Sequence, residues 1–230
     1  GQVGIYLNHA IGVKVHDNQV REIGSSCIAI TAGDRASGLP RTSGNELYRN
    51  EVWNCKWNGL EFWWTAHGDL DNNKIYNNVF YATGANGLLL ENTRNNIIVN
   101  NIFALNKLSG IGGTSVARNA VSHNLFFGNQ TPGAVGEVVV TGDPLFVDPA
   151  AADFRIRRES PALDRGYFMG LPTVGRADIG AHEFGTAPGE EHSLSGCSAR
   201  GSPGALSPGA AALVLLVLLA AVRRVPARRR

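Results

Sequence analysis

Two stretches of the sequence, roughly residues 31 to 44 and 63 to 72, combine carboxylates, cationic groups and aromatic rings with small, turn-forming residues. The side chains there that suit ligand binding are Arg35, Arg41, Trp63, Trp64 and His67. Flat aromatic rings pack against the faces of sugars, and guanidinium groups make planar, paired hydrogen bonds with hydroxyl or carboxylate oxygens. This mixture therefore predicts a carbohydrate as the ligand.

Carboxylates in and beside the same stretches are the candidates for catalysis, namely Asp34, Glu61, Asp69 and Asp71. Glycoside hydrolysis requires two carboxyl groups, about 5 to 5.5 Å apart for retention or about 6.5 to 9.5 Å apart for inversion. Elimination from a uronate instead requires a base and a cation that neutralises the acid. Three interpretations stay open: solvent-exposed decoration, binding without catalysis, or catalysis by a polysaccharide lyase or glycoside hydrolase.

A repeat of 23 residues positions these stretches. One row of the repeat is a small residue or Cys before an apolar residue, at Gly4-Ile5, Cys27-Ile28, Gly59-Leu60, Gly87-Leu88 and Gly110-Ile111. The other row is an asparagine before an apolar pair, at Asn18, Asn50, Asn78, Asn101 and Asn124. Ten residues separate each of the first four asparagines from the next apolar row. The second and third copies carry insertions of nine and five residues in the same arm.

Short alternating apolar segments within each copy favour strands over helices. A unit of this size cannot bury its own apolar face, so successive units must stack with like strands paired in parallel ~4.8 Å apart. The stack predicts a ladder of the five asparagines at one turn, where Asn tolerates left-handed backbone angles. The two insertions should emerge side by side. The outward row of the first strand should be Tyr6, Ala29, Glu61, Leu89 and Gly112.

The segment GLLLENTRNNIIVNNIFALN, with its Asn pair before an apolar pair, resembles the right-handed parallel β-helix proteins of the pectin-lyase type. The resemblance covers residues 1 to about 142 and implies an all-β fold, a single right-handed parallel β-helix of 23-residue coils. It identifies the fold more strongly than any activity. The chain lacks the Asp-Asp and Gly-His-Gly blocks of polygalacturonases and the arginine and proline spacing of pectate lyases.

Residues 143 to 185 break the period. The blocks DPLFVDP, DFRIRRESPALDRG and ADIGAHEFG occur in that order and resemble the closing module found at the end of many bacterial surface β-helix proteins. The acids of this module are Asp143, Asp148, Asp153, Asp164, Asp178 and Glu183. They either bind calcium or cap turns and close the open end of the solenoid, whose strand edges would otherwise be unpaired. We expect the second role, with no metal site and calcium as the one cofactor left open.

The C-terminal part of the chain predicts a membrane segment. Residues 186 to 204 are rich in Gly, Ser and Pro and should form a flexible linker. Within residues 205 to 230, the run AAALVLLVLLAAV precedes five arginines. A spanning helix needs roughly 17 to 25 residues, and an arginine cluster marks the cytoplasmic end. We therefore expect a C-terminal transmembrane α-helix with residues 1 to about 204 outside the cytoplasm.

Cys197, within Gly196-Cys197-Ser198, lies upstream of that apolar run. The arrangement resembles the C-terminal sorting signals of myxobacterial surface proteins, the MYXO-CTERM type. The resemblance implies that an envelope protease processes the tail at Cys197 and that the mature protein is anchored at the cell surface. A plain membrane anchor is the alternative.

Cys27 and Cys55 are the other two cysteines. They form either a disulfide, which an exterior compartment permits, or two free buried thiols. Neither belongs to a CxxC pair or lies beside a histidine, which argues against a metal site.

The formal net charge of +2 divides unevenly along the chain. Six arginines and no acid follow residue 196, and the preceding 15 basic and 19 acidic residues give −4. Such a body lacks the cationic face that binds phosphates, so we expect no nucleic-acid partner. We take the chain, which begins at Gly1, as the C-terminal piece of a longer protein.

Together these features predict a surface-anchored β-helix protein that contacts polysaccharide at the cell envelope or outside it. A carbohydrate-active enzyme is one alternative. A structural or adhesive spacer without a ligand is the other.

Overall fold

The computed structural model describes residues 2–32, 42–63, 70–133 and 135–186, and its regular elements are short β-strands. In chain order the strands are β1 (Ile5–Asn8), β2 (Lys14–His16), β3 (Gln19–Arg21), β4 (Ile28–Thr31), β5 (Glu46–Tyr48), β6 (Glu51–Trp53), β7 (Leu60–Phe62), β8 (Leu70–Asp71), β9 (Lys74–Tyr76), β10 (Val79–Tyr81), β11 (Leu88–Leu90), β12 (Thr93–Arg94), β13 (Ile97–Val99), β14 (Ile102–Ala104), β15 (Ser109–Gly112), β16 (Ala120–Ser122), β17 (Asn124–Phe127), β18 (Thr131–Gly133), β19 (Val139–Thr141), β20 (Phe146–Asp148) and β21 (Asp153–Ile156). Two single 3-10 turns lie at Val116–Arg118 and Pro149–Ala151.

The strands stack into three parallel sheets, which confirms the predicted parallel β-helix. Sheet 1 has the order β1-β4-β7-β11-β15-β18, sheet 2 is β2-β5-β9-β13-β16, and sheet 3 is β3-β6-β10-β14-β17-β19. Strands β8 and β12 form a small parallel pair at the corner between sheets 1 and 2. In sheet 1 the register aligns the predicted outward row, Tyr6, Ala29, Glu61, Leu89 and Gly112.

Two glycines of sheet 1, Gly87 before β11 and Gly110 within β15, make room for a stack of aromatic rings in the core. Phe103 stacks between Phe80 and Phe126, with ring centroids 5.2 Å and 5.4 Å away. A Cβ atom on Gly87 would lie 2.6 Å from the ring of Phe103, and one on Gly110 would lie 2.5 Å from the ring of Phe126. The close-packed core leaves no space for a side chain at these positions, which explains the row of small residues.

The predicted asparagine ladder is confirmed. From Asn18 through Asn50, Asn78 and Asn101 to Asn124, each side-chain Nδ2 donates to Oδ1 of the next asparagine at 2.9 to 3.0 Å. These asparagines do not have left-handed backbone angles, and that detail of the prediction is wrong.

The left-handed residue is instead the one immediately before each ladder asparagine. These residues are Asp17 (φ 57°), Arg49 (φ 51°), Asn77 (φ 51°), Asn100 (φ 57°) and His123 (φ 51°). The preceding residue makes the bend, so the ladder asparagine itself can direct its side chain along the stack. Further ladders at other turns link Asn45, Asn73, Asn96 and Asn119, then Asn58 and Asn86, then Thr83, Asn106 and Asn129.

Cys27 and Cys55 form a disulfide, with Cα atoms 5.4 Å apart. This observation decides between the disulfide and the two free thiols that the sequence left open. Both residues are buried in the core, so the bond links adjacent coils from the inside.

The closing module, residues 143 to 185, does not close an open end of the solenoid, contrary to the sequence-based expectation. Its antiparallel pair β20-β21 and the segment after it pack against the outer face of sheet 3. The buried contact joins Trp53, Val79, Ile102, Ala104 and Leu125 of sheet 3 to Phe146, Phe154, Ile156, Ala162, Ile179 and Ala181 of the module. The physical reason is that sheet 3 presents apolar side chains outward, and burying them is favourable.

The acids of the module do cap its turns. Asp143 accepts a hydrogen bond from the N–H of Leu145 at 2.9 Å, and Asp148 accepts one from Ala151 at 3.2 Å. The buried Asp178 carboxylate accepts from the N–H groups of Asp164 and Phe184 at 2.6 Å and 2.7 Å. Within the described ranges, no group of three or more His, Cys, Asp or Glu side chains is arranged to hold a metal ion.

Most of the predicted linker and all of residues 205 to 230, with Cys197, lie outside the described residues. Across residues 2 to 186, as far as they are described, no helix has the length and apolarity needed to cross a bilayer.

Candidate functional site

The two insertions leave the solenoid at the same corner, between sheets 1 and 2. Trp63, where the second insertion begins, donates its N–H to the carbonyl of Ile30 on the preceding coil at 2.8 Å. Where the insertions end, Ser43 forms a parallel bridge with Asp71. The two insertions therefore start and finish side by side, as predicted. The candidates within them, Asp34, Arg35, Arg41, Trp64, His67 and Asp69, lie outside the described residues.

Beside this corner, the outer face of sheet 1 carries two acids and an exposed indole. Successive residues of a strand point to opposite faces, so Glu61 and Trp63 both point outward while Leu60 and Phe62 enter the core. The side chain of Trp63 is 49% exposed. On the next coil, Leu89 and Leu90 of β11 pair with Glu61 and Phe62, and Glu91 comes directly after this strand.

Hydrogen bonds fix both carboxylates. Glu61 accepts from the hydroxyl of Ser26, just before β4, and from the side-chain amide of Asn58 at 3.2 Å. Glu91 accepts from the hydroxyl of Thr114 on the following coil and from its N–H at 3.3 Å. Ser26 lies on the coil before Glu61 and Thr114 on the coil after Glu91, so hydrogen bonds tie the two carboxylates to different coils.

Asp71 lies around the corner from Glu61, in β8. Its carboxylate is mostly buried and lies 3.8 Å from the guanidinium of Arg94 in β12. The structure therefore puts the two described catalytic candidates, Glu61 and Asp71, on strands of different sheets. It does not bring them together as a facing pair.

Sequence reasoning missed Glu91 and Thr114. A signal for them was present, because Glu91 follows the outward Leu89 by two residues, as Trp63 follows the outward Glu61. Extending the outward row by one more position on each coil identifies both residues.

A second polar surface lies on sheet 2, where side chains satisfy one another. The ring of Tyr48 stacks between His16 and Tyr76, with centroids 4.7 Å and 5.1 Å away. Lys74 donates to Glu46 at 3.0 Å, and this hydrogen bond, opposed by partial burial, lowers the pKa of Glu46. Burial, reinforced by the charge of Glu46, raises the pKa of Tyr76, so the phenol stays protonated. The arrangement is a structural ladder across coils.

Residues 1–144 match the protein family described as "Right handed beta helix region", which is more than half of the chain. The chain belongs to this β-helix family. Membership confirms the right-handed parallel β-helix that the asparagine-rich repeat suggested.

Among solved structures, the chain is similar to crystal structures of the periplasmic alginate epimerase AlgG and of a mutant of that enzyme. Each shares 16% sequence identity with the chain at a TM-score of 0.42. The match covers 61% and 60% of this chain and 36% of each epimerase chain, so the chain spans little more than a third of their length. The comparison with curated proteins finds no match.

Proposed function

We propose that the outer face of sheet 1, at the corner where the insertions emerge, binds a polysaccharide. The exposed indole of Trp63, directly after β7 and two residues from the outward Glu61, carries this proposal, and Glu91 follows the neighbouring strand β11. An exposed aromatic ring offers a flat surface for a sugar, and carboxylates held by protein donors present ordered acceptors to its hydroxyl groups.

The arrangement favours binding over cleavage of a glycosidic bond. Cleavage requires two carboxyl groups that converge on one bond, whereas hydrogen bonds tie Glu61 to Ser26 and Glu91 to Thr114, on coils that are not neighbours. Catalysis as a lyase or hydrolase is the alternative function, and it would draw on Asp34 or Asp69 of the insertions.

We place this activity outside the cytoplasm, at the cell surface. The disulfide between Cys27 and Cys55 supports an oxidising compartment, because cytosolic reductants keep most thiols reduced. The resemblance of the C-terminal segment to a sorting signal supports anchoring through residues 205 to 230 and processing at Cys197 by an envelope protease.

A pull-down of the full chain on insoluble and immobilised polysaccharides tests the binding proposal. We expect Trp63→Ala to reduce retention about tenfold. Trp57→Ala is the matched control, since Trp57 is 56% exposed but lies in the turn before β7, at the other end of that strand from Trp63. Retention of the Trp63→Ala variant at the wild-type level would overturn the proposal, and an equal loss for both variants would overturn its assignment to the corner.

A further inference from the structure

A straight row of outward side chains, one from each coil, runs along the edge of sheet 3. The ladder register aligns Arg21, Trp53, Tyr81, Ala104 and Phe127 in this row, in which Trp53 and Ala104 are buried beneath the closing module. Four steps between strands make the row about 19 Å long. It runs parallel to the axis of the solenoid, on a different side from the face of sheet 1.

The closing module forms a wall over this row and turns it into a groove. Three open pockets of about 510, 250 and 170 Å³ follow one another along it. The first and second share Tyr81 and Pro149, and the second and third share Phe127. Residues 143 to 152 of the module supply the wall of the first two pockets. We call this continuous feature the axial groove.

The lining of the axial groove combines rings with balanced charges. The rings of Tyr81 and Phe127 are half-buried in its floor, and Leu105 beside them is 42% exposed. The charged groups are two arginines and two acids, namely Arg21, Glu22, Asp143 and Arg157. Such a lining has no net charge to attract an ionic polymer.

We propose that the axial groove binds an extended, uncharged polysaccharide chain lying parallel to the solenoid axis. A straight chain of linked rings matches a straight groove to which each coil contributes a lining residue, namely Arg21, Asn54, Tyr81, Leu105 and Phe127. Aromatic rings in the floor contact the faces of the sugars, and the polar groups at the rim accept and donate hydrogen bonds to hydroxyls.

The groove is unsuited to an extended peptide. A peptide strand gains its affinity from main-chain hydrogen bonds with a free sheet edge. The floor here crosses β6, β10, β14 and β17, and each of these strands is already paired on both sides. A polysaccharide needs no such edge.

This inference shares the ligand class of the proposed function but not its site. Isothermal titration of the full-length protein with unbranched, uncharged oligosaccharides of β-1,4-linked glucose, mannose and xylose, from disaccharides to hexasaccharides, provides the test. We expect affinity for at least one series to rise with oligosaccharide length until the chain is as long as the row, and to be insensitive to salt.

Two variants locate the binding. Tyr81→Ala should weaken it about tenfold. Ala150→Trp, at an exposed position of the module wall, should abolish binding by narrowing the groove without disturbing the core. Ile97→Ala, on the exposed side of sheet 2, is the control and should bind as the wild type. Unfolding curves confirm that each variant is folded.

The axial-groove proposal fails if no uncharged hexasaccharide binds the wild type, if Ala150→Trp binds unchanged, or if added salt abolishes binding. Trp63→Ala separates the two proposals. If Trp63→Ala loses oligosaccharide binding and Ala150→Trp does not, the sheet 1 site stands and the axial groove is rejected. If Ala150→Trp loses binding and Trp63→Ala does not, the axial groove stands and the sheet 1 site is rejected.

Discussion

Nε2 of His182 lies 2.5 Å from a carboxylate oxygen of Glu51, although 131 residues separate them in sequence. Two residues earlier, Gly180 accepts a hydrogen bond from the side chain of Asn77 at 3.0 Å and donates its N–H to the carbonyl of Asn100 at 2.8 Å. Glu51, Asn77 and Asn100 belong to three successive coils. The segment 177–184 therefore acts as a strap along the flank of the solenoid and links three successive coils to a segment that is distant from them in sequence.

Glu183 makes this strap sensitive to pH. Burial raises the pKa of Glu183 from 4.5 to about 7; the charge of Asp178 adds to the rise, and the N–H groups of Asp178 and Val174 oppose it. The pKa of Asp178 is also raised, chiefly by burial. Between pH 4.5 and 7 the folded state thus holds a proton that the unfolded state has released. The free energy of unfolding should fall as pH rises through this window, by about 2 to 3 kcal/mol for Glu183.

Denaturant unfolding at several pH values from 4 to 8 checks this prediction. Glu183→Gln should flatten the decline, because the amide does not ionise. The control is Glu137→Gln, at an exposed position, which should keep the slope of the wild type. A Glu183→Gln variant whose stability still falls as steeply as that of the wild type would show that another group is responsible.

The disulfide between Cys27 and Cys55 should stabilise the fold substantially. It closes a loop of 28 residues, and the loss of chain entropy in the unfolded state corresponds to about 3 to 4 kcal/mol for a loop of that size. We expect the double variant Cys27→Ala, Cys55→Ala to lose about this much in denaturant unfolding. A reducing agent should destabilise the wild type and leave the double variant unchanged. Equal sensitivity of both proteins to the reductant would contradict the prediction.

The asparagines in the middle of the ladder should contribute more to the stability of the fold than the one at its end. Oδ1 of the buried Asn78 accepts from both the N–H and the side chain of Asn50, at 3.0 Å and 2.9 Å. Asn78→Ala leaves that buried N–H without a partner, and each such loss costs about 1 to 3 kcal/mol. Asn18, half-buried in the outermost coil described, donates to Asn50 at 2.9 Å. In urea unfolding, Asn18→Ala should therefore lower the free energy of unfolding by at least ~1 kcal/mol less than Asn78→Ala does. Equal losses of stability in the two variants would contradict a cooperative ladder.

The repeat made much of the solenoid predictable. Counting residues between like positions gave the coil length, the pairing of β4 with β7 and the shared corner of the insertions, because parallel stacking converts a sequence period into spatial neighbours. Glu61 was placed on the outer face for the same reason. The asparagine ladder could be predicted because Asn78 and Asn101 are one full repeat of 23 residues apart, with no insertion between them.

What was missed depends on contacts between segments that do not repeat. The docking of Phe154 on Trp53 follows from apolar complementarity between the module and sheet 3, which no spacing reveals. The axial groove exists only because of that docking. The ladder through Thr83 and Asn106 was also missed, since the residue type changes from coil to coil. The backbone angle at each ladder turn depends on which of two adjacent residues makes the bend, and composition alone does not determine this.

The two acids on sheet 1 distinguish binding from catalysis. Glutamine has the shape of glutamate and keeps an oxygen that accepts from Asn58 or Thr114, so Glu61→Gln and Glu91→Gln should preserve the fold. If the face only binds polysaccharide, each variant should lower affinity by a few-fold at most, less than Trp63→Ala, because a charged acceptor is replaced by a neutral one. Prolonged incubation of any of these proteins with polysaccharide should release no oligosaccharides, as measured by chromatography of the soluble fraction. Release by the wild type that either glutamine variant abolishes would instead establish catalysis, since a neutral amide cannot serve as acid, base or nucleophile.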